Sequence, residues 1–193
     1  MKSKYNDTLI TILAFSLPIW IFAIAFCFSL LIKRVPGFHQ DQVGELTPIY
    51  DKQSLTQSIT LEQSGLDTVM IFLKNARLDN QDKFIFQIAD VIIPINGYNI
   101  GDGDTIKFQF PPLNLPAGSQ VNITLSAPDT KDPNIAIKAG ISSADAYLAG
   151  GLSGKFSPRD LSFQLFYQPA SKKAIIASSF RDFISRLFNA KSY

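Results

Sequence analysis

The 193-residue chain is long enough for one ordinary domain and little more, and its formal charge is only +2. That charge is unevenly spread. Residues 1–34 carry +3 from Lys2, Lys4, Lys33 and Arg34 against Asp7, residues 171–193 carry +4, and the middle is left at −5. An acidic body with basic ends argues against a nucleic-acid partner, because phosphates would repel most of the domain. It suits a domain whose two ends meet a membrane surface.

From Leu9 to Ile32 the chain reads LITILAFSLPIWIFAIAFCFSLLI, without a charged residue. At about 1.5 Å per residue this run spans a hydrocarbon core of about 30 Å with some tilt. Pro18 would kink the helix, which membrane helices tolerate; Trp20 and Cys27 lie inside it. Cys27 is the only cysteine, so the body of the chain has no disulfide or thiol chemistry. A cleaved signal peptide would carry a shorter apolar core and a small-residue cleavage site, whereas this run ends in Leu-Leu-Ile-Lys-Arg. A lipoprotein signal would place a small residue before Cys27, where Phe26 stands, and no pilin-like glycine and glutamate precede the helix. Residues 1–34 therefore read as an uncleaved single-pass anchor. Lysines at one end balance Lys33 and Arg34 at the other, so charge does not orient it.

Residues 35–52 read as a membrane-proximal linker, and residues 53–169 as an all-β domain. Apolar-rich runs at Ser54–Leu61 and Thr68–Leu73 are followed by Lys83–Ala89, where Phe84, Phe86 and Ile88 alternate toward one face. Asp104–Phe110 repeats the device with Ile106, Phe108 and Phe110, and Val121–Leu125, Ile135–Ala139 and Leu161–Tyr167 follow. Period-two alternation between turn residues predicts an antiparallel β-sandwich.

Four segments carry a family resemblance: VGELT (43–47), SLTQSITLEQSGLDTVMIFLKNARLDN (54–80), FQFPPLNLPAGSQVNITLSAPD (108–129) and YLAGGLSGKFSPRDLSFQLFYQP (147–169). In this order they resemble the jelly-roll-type β-sandwich found outside the membrane in bacterial membrane proteins of unassigned activity, some of them polytopic and glycosyltransferase-like. The resemblance implies a jelly-roll-like fold on the extracytoplasmic side of the cell membrane. It brings no catalytic residues with it.

Apparent chemical motifs dissolve on inspection. Gly101-Asp102-Gly103-Asp104 lacks the third glycine of a dinucleotide loop and offers too few oxygens for calcium, so it reads as a hairpin-like turn. Leu152-Ser153-Gly154-Lys155 resembles a P-loop and a nucleophile elbow, but Ala149, Phe156 and Lys155 stand where each motif needs another residue. Gly150-Gly151 more simply permits a turn. The sole histidine, His39, lies in the linker, so no triad or His-based metal site assembles. The body reads as non-catalytic and free of cofactors. The sharper expectation is glycan binding, for which Tyr98 and Tyr147, in loop-like contexts, are the candidate aromatics. Asn122-Ile123-Thr124 is a sequon inside a strand.

In residues 171–193 the period changes: Ile176, Phe180, Phe183, Ile184, Leu187 and Phe188 fall on one helical stripe. This predicts an amphipathic helix that packs on a protein surface or lies in the membrane interface. The whole then reads as a membrane-anchored module for binding or assembly at the cell envelope. Its expected partners are the lipid bilayer and either polytopic polysaccharide-synthesis machinery or, as the alternative, a surface glycan bound by the module alone.

Overall fold

The computed structural model describes residues 16–24, 27, 34–145, 147–153, 159–168 and 180. Residues 16–24 are helical, and Leu17, Ile19, Trp20, Ile21, Phe22 and Ile24 expose their side chains. Among the described residues no helix is long and apolar enough to cross a membrane. Leu9, Ile32 and most of the run between them lie outside the described residues, as do Phe183, Ile184, Leu187 and Phe188. Phe180 is helical and exposed.

The compact unit spans Val35–Gln168 and is built from antiparallel strands in two sheets, a β-sandwich-like arrangement. Its strands are β1 (Val35–Gln40), β2 (Glu45–Ile49), β3 (Ser54–Thr60), β4 (Leu66–Lys74), β5 (Lys83–Ile88), β6 (Val91–Asn96), β7 (Asp102–Gln109), β8 (Gln120–Ser126), β9 (Ile137–Ile141), β10 (Gly151–Leu152) and β11 (Phe163–Tyr167). Every alternating run read from the sequence overlaps a strand, although β9 and β11 begin two residues later than the runs that announced them, and the alternation marks the buried side. Phe84, Phe86 and Ile88 are fully buried, as are Ile123 and Leu125.

In the first sheet β7 pairs with β4 from Thr68 to Lys74. The other side of β4 is shared: β11 pairs from Leu66 to Ile71, and β9 takes Leu73 and Lys74. β9 and β11 thus lie end to end as one interrupted strand, joined where the Ser162 amide donates to the Gly140 carbonyl. Their outer edge is covered in the same divided way, β11 by β1 and β9 by β2. The second sheet runs β10-β3-β8-β5-β6. With β1 and β2, and β9 and β11, each counted as one divided strand, and the two-residue β10 at the edge beside β3 left out, the chain order is 1-8-3-6 across the first sheet and 2-7-4-5 across the second.

Three expectations are corrected. Residues 35–52 are not a linker: β1 and β2 lie within them, and Ile49 is fully buried. Pro36 and Pro48 are tolerated because both strands are sheet edges. Gly101-Asp102-Gly103-Asp104 is not a hairpin turn. Asp102 pairs with Lys74 and Asp104 with Leu73, so Gly103, at φ +96°, is the extra residue of a bulge at the start of β7. Third, Val91–Asn96 forms an edge strand that the alternating runs did not include.

The excursion between β9 and β11 is pinched at its base by an Ile141–Leu161 bridge and held by a buried polar network. Gln57 and Asp160 are both fully buried. The Gln57 amide donates to Asp160 Oδ1 at 3.1 Å, the Tyr147 amide donates to Asp160 Oδ2 at 2.8 Å, and Gln57 Oε1 accepts from the Leu161 amide at 3.0 Å. A second network closes the other loops: Asn75 and Asn80 are fully buried, and the Asn80 amide donates to Thr130 and the Ile135 carbonyl. Buried amides are costly unless paired, and these are paired.

Candidate functional site

Strand register decides which side chains share a surface, because residues opposite one another point to the same face. In the second sheet Thr56, Thr124, Gln87 and Ile92 lie opposite in turn, as do Ser54, Ser126, Ile85 and Pro94. Ser58 faces Asn122, Thr60 faces Gln120, and Lys83 faces Asn96. None of these side chains is buried, whereas Leu55, Ile59, Ile123, Leu125, Phe84 and Phe86 of the same strands fill the core. The outward face is therefore uncharged amide, hydroxyl and aliphatic surface, with Lys83 as the single charge among these positions.

On the β3 side the hydroxyls of Thr56, Ser58 and Thr60 are already engaged. Thr60 Oγ1 donates to the Ala149 carbonyl at 2.7 Å, Ser58 Oγ to the Gly151 carbonyl at 3.2 Å, and Thr56 pairs with Thr124 at 3.3 Å. Beside them opens a recess of about 660 Å³ lined by Gln87, Ala89, Leu115, Gln120, Val121, Asn122 and Thr124. The side-chain amides of Gln87, Gln120 and Asn122 hydrogen-bond to no other described residue, so each offers a donor and an acceptor to whatever occupies the recess. The sequon asparagine, Asn122, is exposed within it.

The two nominated tyrosines separate. Tyr98 sits in a short 3-10 turn, Gly97–Asn99, after β6, is 58% exposed, and shares a second recess of about 390 Å³ with Gln81, Asn96 and Asn99. The Asn96 side chain accepts from the Tyr98 amide at 2.8 Å and so fixes the turn. Tyr147 is a correction: it is 4% exposed, and its ring packs on Phe38 and Phe163 with centroids 4.4 and 5.5 Å away. Its hydroxyl donates to the Thr60 carbonyl and accepts from the Thr60 amide. Burial pushes its pKa up, and a ring so enclosed cannot meet a ligand face.

The outward face of the first sheet has a different character. Its positions include Met70, Phe72, Phe166, Lys107 and Lys138, with Phe72 lying over Gly140 and Gly103. His39, on β1, places Nε2 3.1 Å from Asp41 at the surface. Among the described residues no group of three or more His, Cys, Asp or Glu side chains is placed to hold a metal ion.

No protein-family model matches the chain, and no curated protein does. The strands' outward residues, rather than any named motif, are what mark the candidate site. Gln87, Gln120, Asn122 and Thr124 had a signal in the sequence: they are the uncharged polar members of KFIFQIA and QVNITL. Which of them lie together depends on the β8–β5 register, which alternation alone does not supply.

Proposed function

We propose that this chain is a membrane-anchored, non-catalytic binding module of the cell envelope, and that its ligand-bearing surface is the outward face of the second sheet. The single observation that carries the reading is the uncharged, hydrogen-bonding character of that face, with unpaired amides around an open recess. A domain surface normally mixes both signs of charge, and outward positions on β3, β8, β5 and β6 that carry one lysine depart from that.

The finer architecture belongs to the same proposal. The strand order 1-8-3-6 and 2-7-4-5 supports a jelly roll, two Greek keys wound together. The anchor is read from Leu9–Ile32, and the exposed apolar side chains of helical residues 16–24 favour it, because a helix apolar on every side needs lipid or protein around it. The basic amphipathic stripe of residues 171–193 is proposed to lie at the membrane interface or on a partner helix. The sandwich is placed outside the membrane, beside polytopic envelope machinery. The most enclosed carboxylate, Asp160, accepts hydrogen bonds that tie loop to sheet, an arrangement that holds structure rather than moves protons.

The test uses the full chain. It should stay with membranes after alkaline carbonate washing, and protease added to intact cells with a permeabilised outer barrier should digest the sandwich. Purified in mild detergent, it should be retained on isolated envelope material, and Asn122→Asp with Thr124→Asp should weaken that retention about tenfold, the equivalent of 1.4 kcal/mol. Release by carbonate, or retention unchanged by the double substitution, would overturn the reading.

A further inference from the structure

We propose that the outward face of the second sheet takes an uncharged oligosaccharide, stacked on Tyr98 at one end and hydrogen-bonded by Gln87, Gln120 and Asn122 at the other. The inference rests on the reading of this face as the ligand-bearing surface and names its ligand.

The two recesses belong to one surface. Asn96, which lines the Tyr98 recess, lies opposite Lys83, and Gln87 lies four residues further along β5. At about 3.3 Å per residue the recesses are about 13 Å apart along the strand. Ile85 and Pro94, which face each other between them, make a shallow aliphatic floor. A ligand that spans both recesses is therefore extended and short.

Charge decides its class. An acidic polymer would find only Lys83 among the outward positions, and a basic peptide would find no carboxylate there. A protein partner wants a desolvated apolar centre with aromatic or arginine anchors, and on these strands Ile92, at 59%, is the one large apolar side chain that is well exposed. A neutral sugar needs what the face has. Each carboxamide presents a donor and an acceptor side by side, which matches a pair of neighbouring hydroxyls. Tyr98 supplies an exposed ring with an apolar face for the C–H side of a pyranose, and Gln81, Asn96 and Asn99 surround it. Leu115 and Ala89 give the far recess a patch of aliphatic wall.

The closing experiment presents the full chain, in detergent micelles, to an array of neutral hexose, deoxyhexose and N-acetylhexosamine oligosaccharides beside uronate-containing ones. Binding to a neutral member is expected, at least about tenfold weaker after Tyr98→Ala and again after Gln87→Ala with Asn122→Ala, while Lys107→Ala leaves it unchanged. All are surface changes, and unaltered melting temperatures would show that the fold is kept. Preference for the uronates, or neutral binding that survives both sets of alanines, would overturn the proposal. So would an array with no neutral binding while retention on envelope material persists, is protease-sensitive and still depends on Asn122 and Thr124. In that last case the ligand-bearing face stands and its ligand is a protein. Loss of that dependence too would take down the broader reading.

Discussion

Phe86 on β5 and Phe108 on β7 stack with ring centroids 4.2 Å apart and planes 7° from parallel. The pair spans the two sheets, because β5 belongs to one and β7 to the other. Both rings are essentially buried, so they lock the face-to-face packing that the alternating strands make possible. Phe86→Ala or Phe108→Ala should each cost about 3–5 kcal/mol, the usual range for emptying an aromatic site in a core. Ile92→Ala, on the exposed face, should change stability by no more than about 0.5 kcal/mol. Urea unfolding of the three variants checks the contrast.

The division of the first sheet's edge has its own consequence. A fragment of residues 35–168 contains no cysteine and keeps β1 and β2, so it should fold without redox agents. A fragment beginning at residue 53 loses the outer partners of both β9 and β11 together with buried Thr47 and Ile49. It exposes two strand edges and should aggregate. Size-exclusion chromatography and amide dispersion in NMR spectra distinguish the two.

Adjacent glycines should behave differently. A side chain at Gly150 would collide with the Ser58 carbonyl of β3, whereas one at Gly151 would meet nothing. Gly150→Ala should therefore lower the melting temperature by several degrees, as about 1–3 kcal/mol of overpacking does. Gly151→Ala should leave it within about one degree, given the small effects usual at open surface positions.

Alkaline stability carries the mark of Tyr167, whose pKa burial pushes up to about 12 from an ordinary value of 10.0. The folded state holds that proton more tightly than the unfolded chain does. Its stabilising effect is therefore complete below the ordinary value and is lost as pH rises from 10.0 toward about 12. Tyr147, also raised by burial, contributes in the same direction. Melting temperature should fall across this window. Tyr167→Phe should flatten part of the fall while lowering stability near neutrality, because the Glu62 amide loses the hydroxyl it donates to at 3.2 Å.

The core was legible in the sequence because a half-buried strand repeats every two residues. KFIFQIA and LSFQLFY announce β5 and β11 through buried apolar residues on alternate positions, Phe84, Phe86 and Ile88 in one and Phe163, Leu165 and Tyr167 in the other. Edge strands announce themselves less: VPGFHQ and VIIPIN carry proline, burial along VPGFHQ is irregular, and VIIPIN places apolar residues on both faces. Nothing in the order of residues says that β9 resumes as β11 after a loop, since the join is made in space, by the Ile141–Leu161 bridge and the Ser162–Gly140 and Ser142–Asp160 backbone hydrogen bonds. The tyrosines show the same limit. Tyr98 and Tyr147 sit in similar polar contexts, yet one lies on a surface turn and the other turns inward to reach Thr60, a partner 87 positions away. The site's polar residues were visible one by one, and only strand register assembles them into a face.

The second sheet's outward face is proposed to meet the ligand. Carbene footprinting of the full chain in its own membranes, with envelope material present and then stripped away, tests it most directly. Protection by that material should concentrate on Ile92, Thr124, Gln87 and Tyr98, with Lys107, Phe166 and the rest of the first sheet's outward face unchanged. Protection confined to the first sheet, or none on the second, would contradict the account.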